Sequence, residues 1–235
     1  MQIGLTEILQ GSFSLIFVII SVIIGLKILV KYFEYKSYQF LFVGITWIGL
    51  STPWWPDSIN LILVLTTNSI LSTEANFIIG TSAMPFFLLV WLKAFTDLVY
   101  REKQKLILII FLFVGFIFEI VFFYFLFTQP NFIGTFKTPF QVVYGIYIEI
   151  FLVIFLLVVL ITGILFGKKS LSSENPELKL KGKFLIAAFV LFTICAFIDS
   201  IIPELFILAR LVLDISAISF YFGFLLPDWF KERLQ

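Results

Sequence analysis

Residues 106–127 read LILIIFLFVGFIFEIVFFYFLF, an apolar run in which Glu119 is the one charged residue. An α-helix needs about 20 mostly apolar residues to cross the hydrocarbon core of a bilayer. This stretch therefore predicts a membrane-spanning helix. Similar runs follow one another along most of the chain.

The composition predicts that the lipid bilayer is the main environment of the protein. Of the 235 residues 61% are hydrophobic and 13% are charged, and the mean hydropathy is +1.10. In an ordinary soluble domain about a quarter of the residues are charged. The net charge of +1 gives no electrostatic reason to expect a nucleic-acid partner.

The runs predict an all-α fold, a single seven-transmembrane-helix bundle that covers residues 1–235. A shorter run at 58–71 follows the breaker PWWP at 53–56 and predicts a partial helix on the outer face, either interfacial or re-entrant. Pro85 predicts a kink in the third span. The seven predicted spans are residues 12–31, 38–52, 77–98, 106–127, 140–166, 184–202 and 205–226.

Lysine and arginine predict the orientation. They are frequent in the connections after the first, third and fifth spans and in the tail, and rare in the other connections. Cytoplasmic loops carry the excess of basic residues in membrane proteins. We therefore expect the N-terminus outside, the C-terminus in the cytoplasm, and a multi-pass location in the plasma membrane.

The residue types limit the chemistry. The chain has no histidine and one cysteine, Cys195. Histidine is the commonest general base and metal ligand, so neither a metal site nor a Cys–His catalytic pair is expected. We predict that the protein is not an enzyme and needs no cofactor.

Five ionisable residues inside the predicted spans are the candidate site: Glu119, Glu149, Asp199, Arg210 and Asp214. Ionisable groups in a bilayer are costly and often mark function. Counted along the predicted helices, the glutamates and Asp214 share one level, roughly 12 to 14 Å from the outer ends. Arg210 lies one helical turn from Asp214.

These five residues predict a polar pocket that opens outward and binds a small ligand or a proton. Arg210 would anchor an anion while Asp214 or Asp199 holds it, and Glu119 and Glu149 would bind a cation or a proton. The alternative is a packing role, in which Arg210 pairs with Asp214 and the glutamates are protonated.

Several features together resemble the seven-helix input domains of sensor histidine kinases and related signalling proteins. They are the length, the topology, the corner STPWWP at 51–56, the stretch KLKGK at 179–183 and the exit LPDW at 226–229. The resemblance implies sensing of a small ligand. Those proteins continue into an output domain and this chain ends at Gln235, so we expect a cytoplasmic partner at residues 168–183.

Two other functions use the same residues. A small secondary transporter or an ion or proton channel would use the intramembrane carboxylates as ion sites. A structural subunit of a membrane complex would need no pocket.

Overall fold

The computed structural model describes residues 3–201, 205–227 and 230. Within them lie ten α-helices and one antiparallel β-hairpin, together with 3₁₀ turns at Thr52–Trp54 and Arg101–Lys103 and a π-helical turn at Ile78–Ser82. The elements are α1 (Leu5–Tyr35), α2 (Tyr38–Leu50), α3 (Trp55–Thr67), α4 (Thr73–Phe77), α5 (Met84–Leu98), α6 (Gln104–Thr128), α7 (Pro130–Ile133), β1 (Gly134–Thr138), β2 (Gln141–Tyr144), α8 (Ile146–Leu171), α9 (Pro176–Ile201) and α10 (Phe206–Phe224).

Six helical segments of the described chain are long and apolar enough to cross a membrane. They are α1, the continuous segment 73–98, the segment 101–128, α8, α9 and α10. Many large apolar side chains on these segments are exposed, such as Phe113 and Phe116 on α6. Lipid contact explains this exposure, and the prediction of a helical, multi-pass membrane protein is confirmed.

After the second predicted span and the PWWP motif, the chain stays beside α1. Helix α2, the 3₁₀ turn and α3 follow one another back along α1, so that Trp54 packs on Phe17 at 5.0 Å between ring centroids. Farther along, Leu61 lies so close to Gly11 that a Cβ there would be 2.9 Å from the leucine Cβ. The partial helix predicted at 58–71 corresponds to α3, which covers Trp55–Thr67 and packs along α1, and its place at the outer face stays a prediction.

The prolines explain why a helix begins at this motif. The two prolines of the motif occupy the first turns of the 3₁₀ turn and of α3. In a first helical turn the backbone N–H has no intrahelical partner, so proline costs nothing there. The motif starts a new helix where the sequence predicted an end.

Residues 134–144 form a β-hairpin where the sequence predicted the start of the fifth span. Strand β1 pairs with β2, with Thr135 opposite Val143. Helix α8 starts only at Ile146, six residues later than the predicted start at 140. We call the end of the bundle that carries this hairpin and the start of α1 the hairpin end, and the opposite end, with residues 168–175, the lysine-rich end.

Two further prolines also lie in the first turns of helices. Helix α9 begins at Pro176 and not at 184, and the Asn175 side-chain oxygen accepts the Glu177 backbone N–H at 2.8 Å. Pro85 lies in the first turn of α5, directly after the π-helical turn. The third span thus has an irregular, π-helical turn where a kink was predicted. Within this turn the Ser82 hydroxyl donates to the Ile78 carbonyl at 2.7 Å.

Aromatic residues and glycines pack the middle of the bundle. Trp47 of α2 stacks on Phe220 of α10 with 3.7 Å between ring centroids. Helices α1 and α2 meet at Gly25 and Gly44, where a Cβ on Gly44 would lie 2.7 Å from the Gly25 carbonyl oxygen. Small residues allow such close approach of helices in membranes.

We expect Gly44→Ala to lower the thermal unfolding midpoint in detergent. Alanine favours a helix over glycine by about 1 kcal/mol, but the new Cβ would overlap the main chain of α1. The control is Gly115→Ala on α6, whose Cβ would meet a side-chain atom, the Pro85 Cβ at 3.0 Å, and no main-chain atom, so that a smaller shift relieves the contact. Equal midpoints for the two variants would contradict a tight α1–α2 contact.

Candidate functional site at the hairpin end

Arg210 is the buried charge around which the site is built. It lies in the second turn of α10 with 2% of its surface exposed. Its Nη1 donates to the Gln10 carbonyl and to the Ser14 hydroxyl of α1, and its Nη2 donates to an oxygen of Asp57 at 2.9 Å. The guanidinium thus joins α10 to α1 and α3.

Asp57 and Asp199 neutralise this guanidinium. Asp57 lies in the first turn of α3 and also accepts the Ser14 hydroxyl at 3.2 Å. Asp199, near the end of α9, lies 3.5 Å from Arg210 Nε, which is an ion pair without a hydrogen bond. The indole N–H of Trp54 donates to Asp199 at 2.9 Å. We call Arg210, Asp57 and Asp199 the ionic cluster.

A cavity of about 470 Å³ adjoins the ionic cluster. Small-molecule sites in proteins have volumes of about 300–1,000 Å³. Helices α5, α8, α9 and α10, the 3₁₀ turn and β2 all contribute to its wall. Its charged lining residues in the described chain are Asp57, Glu149, Asp199 and Arg210, and its aromatic ones are Trp54, Phe140, Tyr144, Phe155, Phe192, Phe197 and Phe206.

The β-hairpin covers one side of this cavity. The Gln10 side chain of α1 donates to the Phe140 carbonyl at 2.5 Å, and the Asn60 side chain of α3 donates to the Pro139 carbonyl at 2.8 Å. Both bonds fix the turn of the hairpin to the helix pair that also binds Arg210. Helices α1 and α3 therefore hold both the β-hairpin and the ionic cluster in place.

Tyr144 of β2 brings a neutral polar group to the cavity. Burial raises the pKa of its phenol to about 12, and the nearby Asp57 carboxylate adds to the rise. The phenol therefore keeps its proton at physiological pH and offers a hydroxyl that is both donor and acceptor.

Glu149 lines the cavity, but near the helix end and not at the predicted depth. It lies in the first turn of α8 because that helix begins at Ile146. Its distance from the helix start is roughly 5 Å, where about 14 Å was predicted. In the part of the chain that the structure describes, its carboxylate has no hydrogen-bond or ion-pair partner.

Glu119 and Asp214 do not line this cavity. Glu119 is a half-buried residue of α6, and Asp214 lies one turn beyond Arg210 on α10. No ion pair between Arg210 and Asp214 occurs among the described residues, and the Oδ1 atom of Asp214 is buried without a hydrogen-bond partner there. Asp57, together with Asp199, pairs with Arg210 in the position predicted for Asp214 or Asp199.

Of the five predicted residues, the structure brings Glu149, Asp199 and Arg210 to one cavity. Sequence reasoning missed Asp57, because it placed the residue in a connection. The available signal for a packed helix was the helical spacing of four residues that the structure shows to be buried: Asp57, Asn60, Leu61 and Val64. No group of three or more Asp, Glu or Cys side chains in the described residues is arranged to hold a metal ion.

Comparisons with family models, with curated proteins and with solved structures give no match for this chain. The function is therefore inferred from the geometry of the site.

We expect Asp57→Asn to lower the thermal midpoint markedly, because breaking a buried ion pair costs about 3 kcal/mol or more. Asp214→Asn is the matched control on the next turn of α10, and it should change the midpoint little because Arg210 does not contact Asp214. Both variants are measured as purified protein in detergent. Equal losses would show that Asp57 is not the partner that Arg210 requires.

Proposed function

We propose that the protein is a seven-helix receptor-like module of the plasma membrane, with the hairpin end outside. Helices α2 and α3 with their 3₁₀ turn supply the seventh span. Their 30 residues extend roughly 45 Å, which exceeds the roughly 30 Å hydrocarbon core. Lysine-rich connections then all lie at the cytoplasmic end, as the positive-inside rule requires.

The observation that carries the function is the cavity at the hairpin end. It has the size of a small-molecule site, its lining includes the Glu149 carboxylate, which has no partner in the described part of the chain, and the ionic cluster fixes its wall. A charge as well buried as Arg210 is expensive in a membrane. We infer that this cavity receives a small ligand from outside the cell.

The same helices carry a signal from the cavity to the cytoplasm. Glu149 lies at the cavity end of α8, and Lys168 and Lys169 lie in its last turn. Asp199 lies at the cavity end of α9, whose other end begins at Pro176. A ligand that shifts α8 against α9 therefore moves the residues 168–175 between them, where a cytoplasmic partner would bind, as in the sensor input domains that the sequence resembles.

We expect ligands of the cavity to change the environment of this loop. The test is a fluorophore on Ser172→Cys, in a Cys195→Ala background, with the protein in nanodiscs and a library of small soluble compounds. Active compounds should give a saturable signal that is lost in Ala196→Phe or in Val153→Phe, because both new rings fill the cavity.

Ile194→Phe is the control, because it adds a ring to the exposed side of α9. The fold of each variant is checked by its thermal midpoint. Compounds that act equally on the wild type and on both cavity-filling variants would overturn the receptor proposal.

A transporter is the second candidate, and Asp214 favours it. This carboxyl is half-buried, one turn beyond Arg210, and its buried Oδ1 atom lacks a hydrogen-bond partner among the described residues, as do the hydroxyls of Ser21 and Thr193. Partnerless polar groups inside a bundle are typical of ion or proton sites.

Ion flux separates the two candidates. Purified protein in liposomes is exposed to proton, sodium and potassium gradients, beside the Asp214→Asn and Glu149→Gln variants. We expect no flux above that of empty liposomes. Flux that disappears in Asp214→Asn would replace the receptor proposal with a transporter or channel.

A further inference from the structure

Arg210 is poorly placed to bind an anion. A guanidinium has five N–H donors. Both Nη1 donors bind α1, one Nη2 donor binds Asp57, and the Nε group faces Asp199 at 3.5 Å. An incoming anion would find two donors without hydrogen bonds, one of them already facing Asp199, and two adjacent carboxylates. The predicted role of Arg210 as an anion anchor is therefore opposed by its bonding.

The charge of the cavity wall is negative. Its described lining residues carry three carboxyl groups and one guanidinium, and they include no lysine. Arg210 is shared by Asp57 and Asp199, and no basic side chain of the described residues pairs with Glu149. The positive end of the α8 helix dipole lies beside this carboxylate, which is in the first turn of the helix.

The rest of the wall suits an apolar body that carries a positive charge. Aromatic rings line the cavity from the 3₁₀ turn (Trp54), from the turn of the hairpin (Phe140) and from strand β2 (Tyr144). Aromatic faces attract organic cations by about 0.5–2 kcal/mol per favourable contact. They also bury hydrocarbon without a polar cost.

We propose that this cavity binds an organic ammonium ion, a protonated or quaternary amine on an aromatic or branched hydrocarbon body, with Glu149 as its counter-ion. The ionic cluster holds two carboxylates around one guanidinium, and both are engaged by Arg210, whereas the Glu149 carboxylate has no partner among the described residues. This assignment rests on the receptor proposal, because it names the ligand class of the same cavity.

Three probes of similar shape and different charge test the assignment: phenethylammonium, 2-phenylethanol and 3-phenylpropanoate. Their affinities are measured by calorimetry with the protein in nanodiscs, and binding to empty nanodiscs is subtracted. We expect the ammonium to bind about tenfold or more tightly than the alcohol, because it gains cation–π contacts and an ion pair. The carboxylate should bind most weakly.

Glu149→Gln should lower the affinity for phenethylammonium about tenfold, since about 1.4 kcal/mol corresponds to one decade. Its affinity for 2-phenylethanol should stay unchanged, a split that a merely damaged cavity would not produce. Glu74→Gln is the control, because Glu74 is also an acid of the hairpin end but does not line the cavity among the described residues.

Three other outcomes would overturn the ammonium assignment. Equal or tighter binding of the alcohol or of the carboxylate, lost in Ala196→Phe, would overturn the ammonium assignment and leave the receptor proposal standing. Binding of the ammonium that survives Ala196→Phe would place it elsewhere and overturn the assignment. Absence of binding by all three probes at millimolar concentration would also overturn it.

Discussion

A guanidinium inside a membrane protein needs counter-charges and hydrogen-bond acceptors, and Arg210 imposes that requirement on four elements at once. Its partners come from α1, α3 and α9, while Arg210 itself belongs to α10. None of these elements can move far without leaving a charge unpaired, which costs several kcal/mol. The position of the cavity follows from this cluster, because the same carboxylates form part of its wall.

The cavity is also defined by what covers it. Strand β2 contributes Gln141 and Tyr144, and α8 contributes Glu149 directly after the hairpin. Placing the hairpin there shortens α8 and moves Glu149 from the middle of a span to its end. Glu149 is exposed there and lines the cavity, and a carboxylate at the end of a span costs less than one at the bilayer centre.

Much of this arrangement was predictable from the sequence, and the failures have physical causes. Long apolar runs located the spans, and the cost of intramembrane charge pointed to Arg210, Asp199 and Glu149. The proline motif misled, because proline ends a helix and equally well begins one. For that reason Asp57, which follows the motif directly, was not predicted as a site residue. Counting residues along predicted helices placed Glu149 too deep, because the hairpin delays the start of α8, and it gave no direction around the axis, so the partners of Arg210 required the fold.

The turn of the hairpin is attached through main-chain carbonyls, those of Pro139 and Phe140, and not through its side chains. Main-chain groups persist whatever residue occupies a position. Phe140 shows the consequence, because its carbonyl accepts the bond from Gln10 while its side chain lines the cavity. A substitution at this position can therefore change the cavity lining and keep the hydrogen bond that holds the turn.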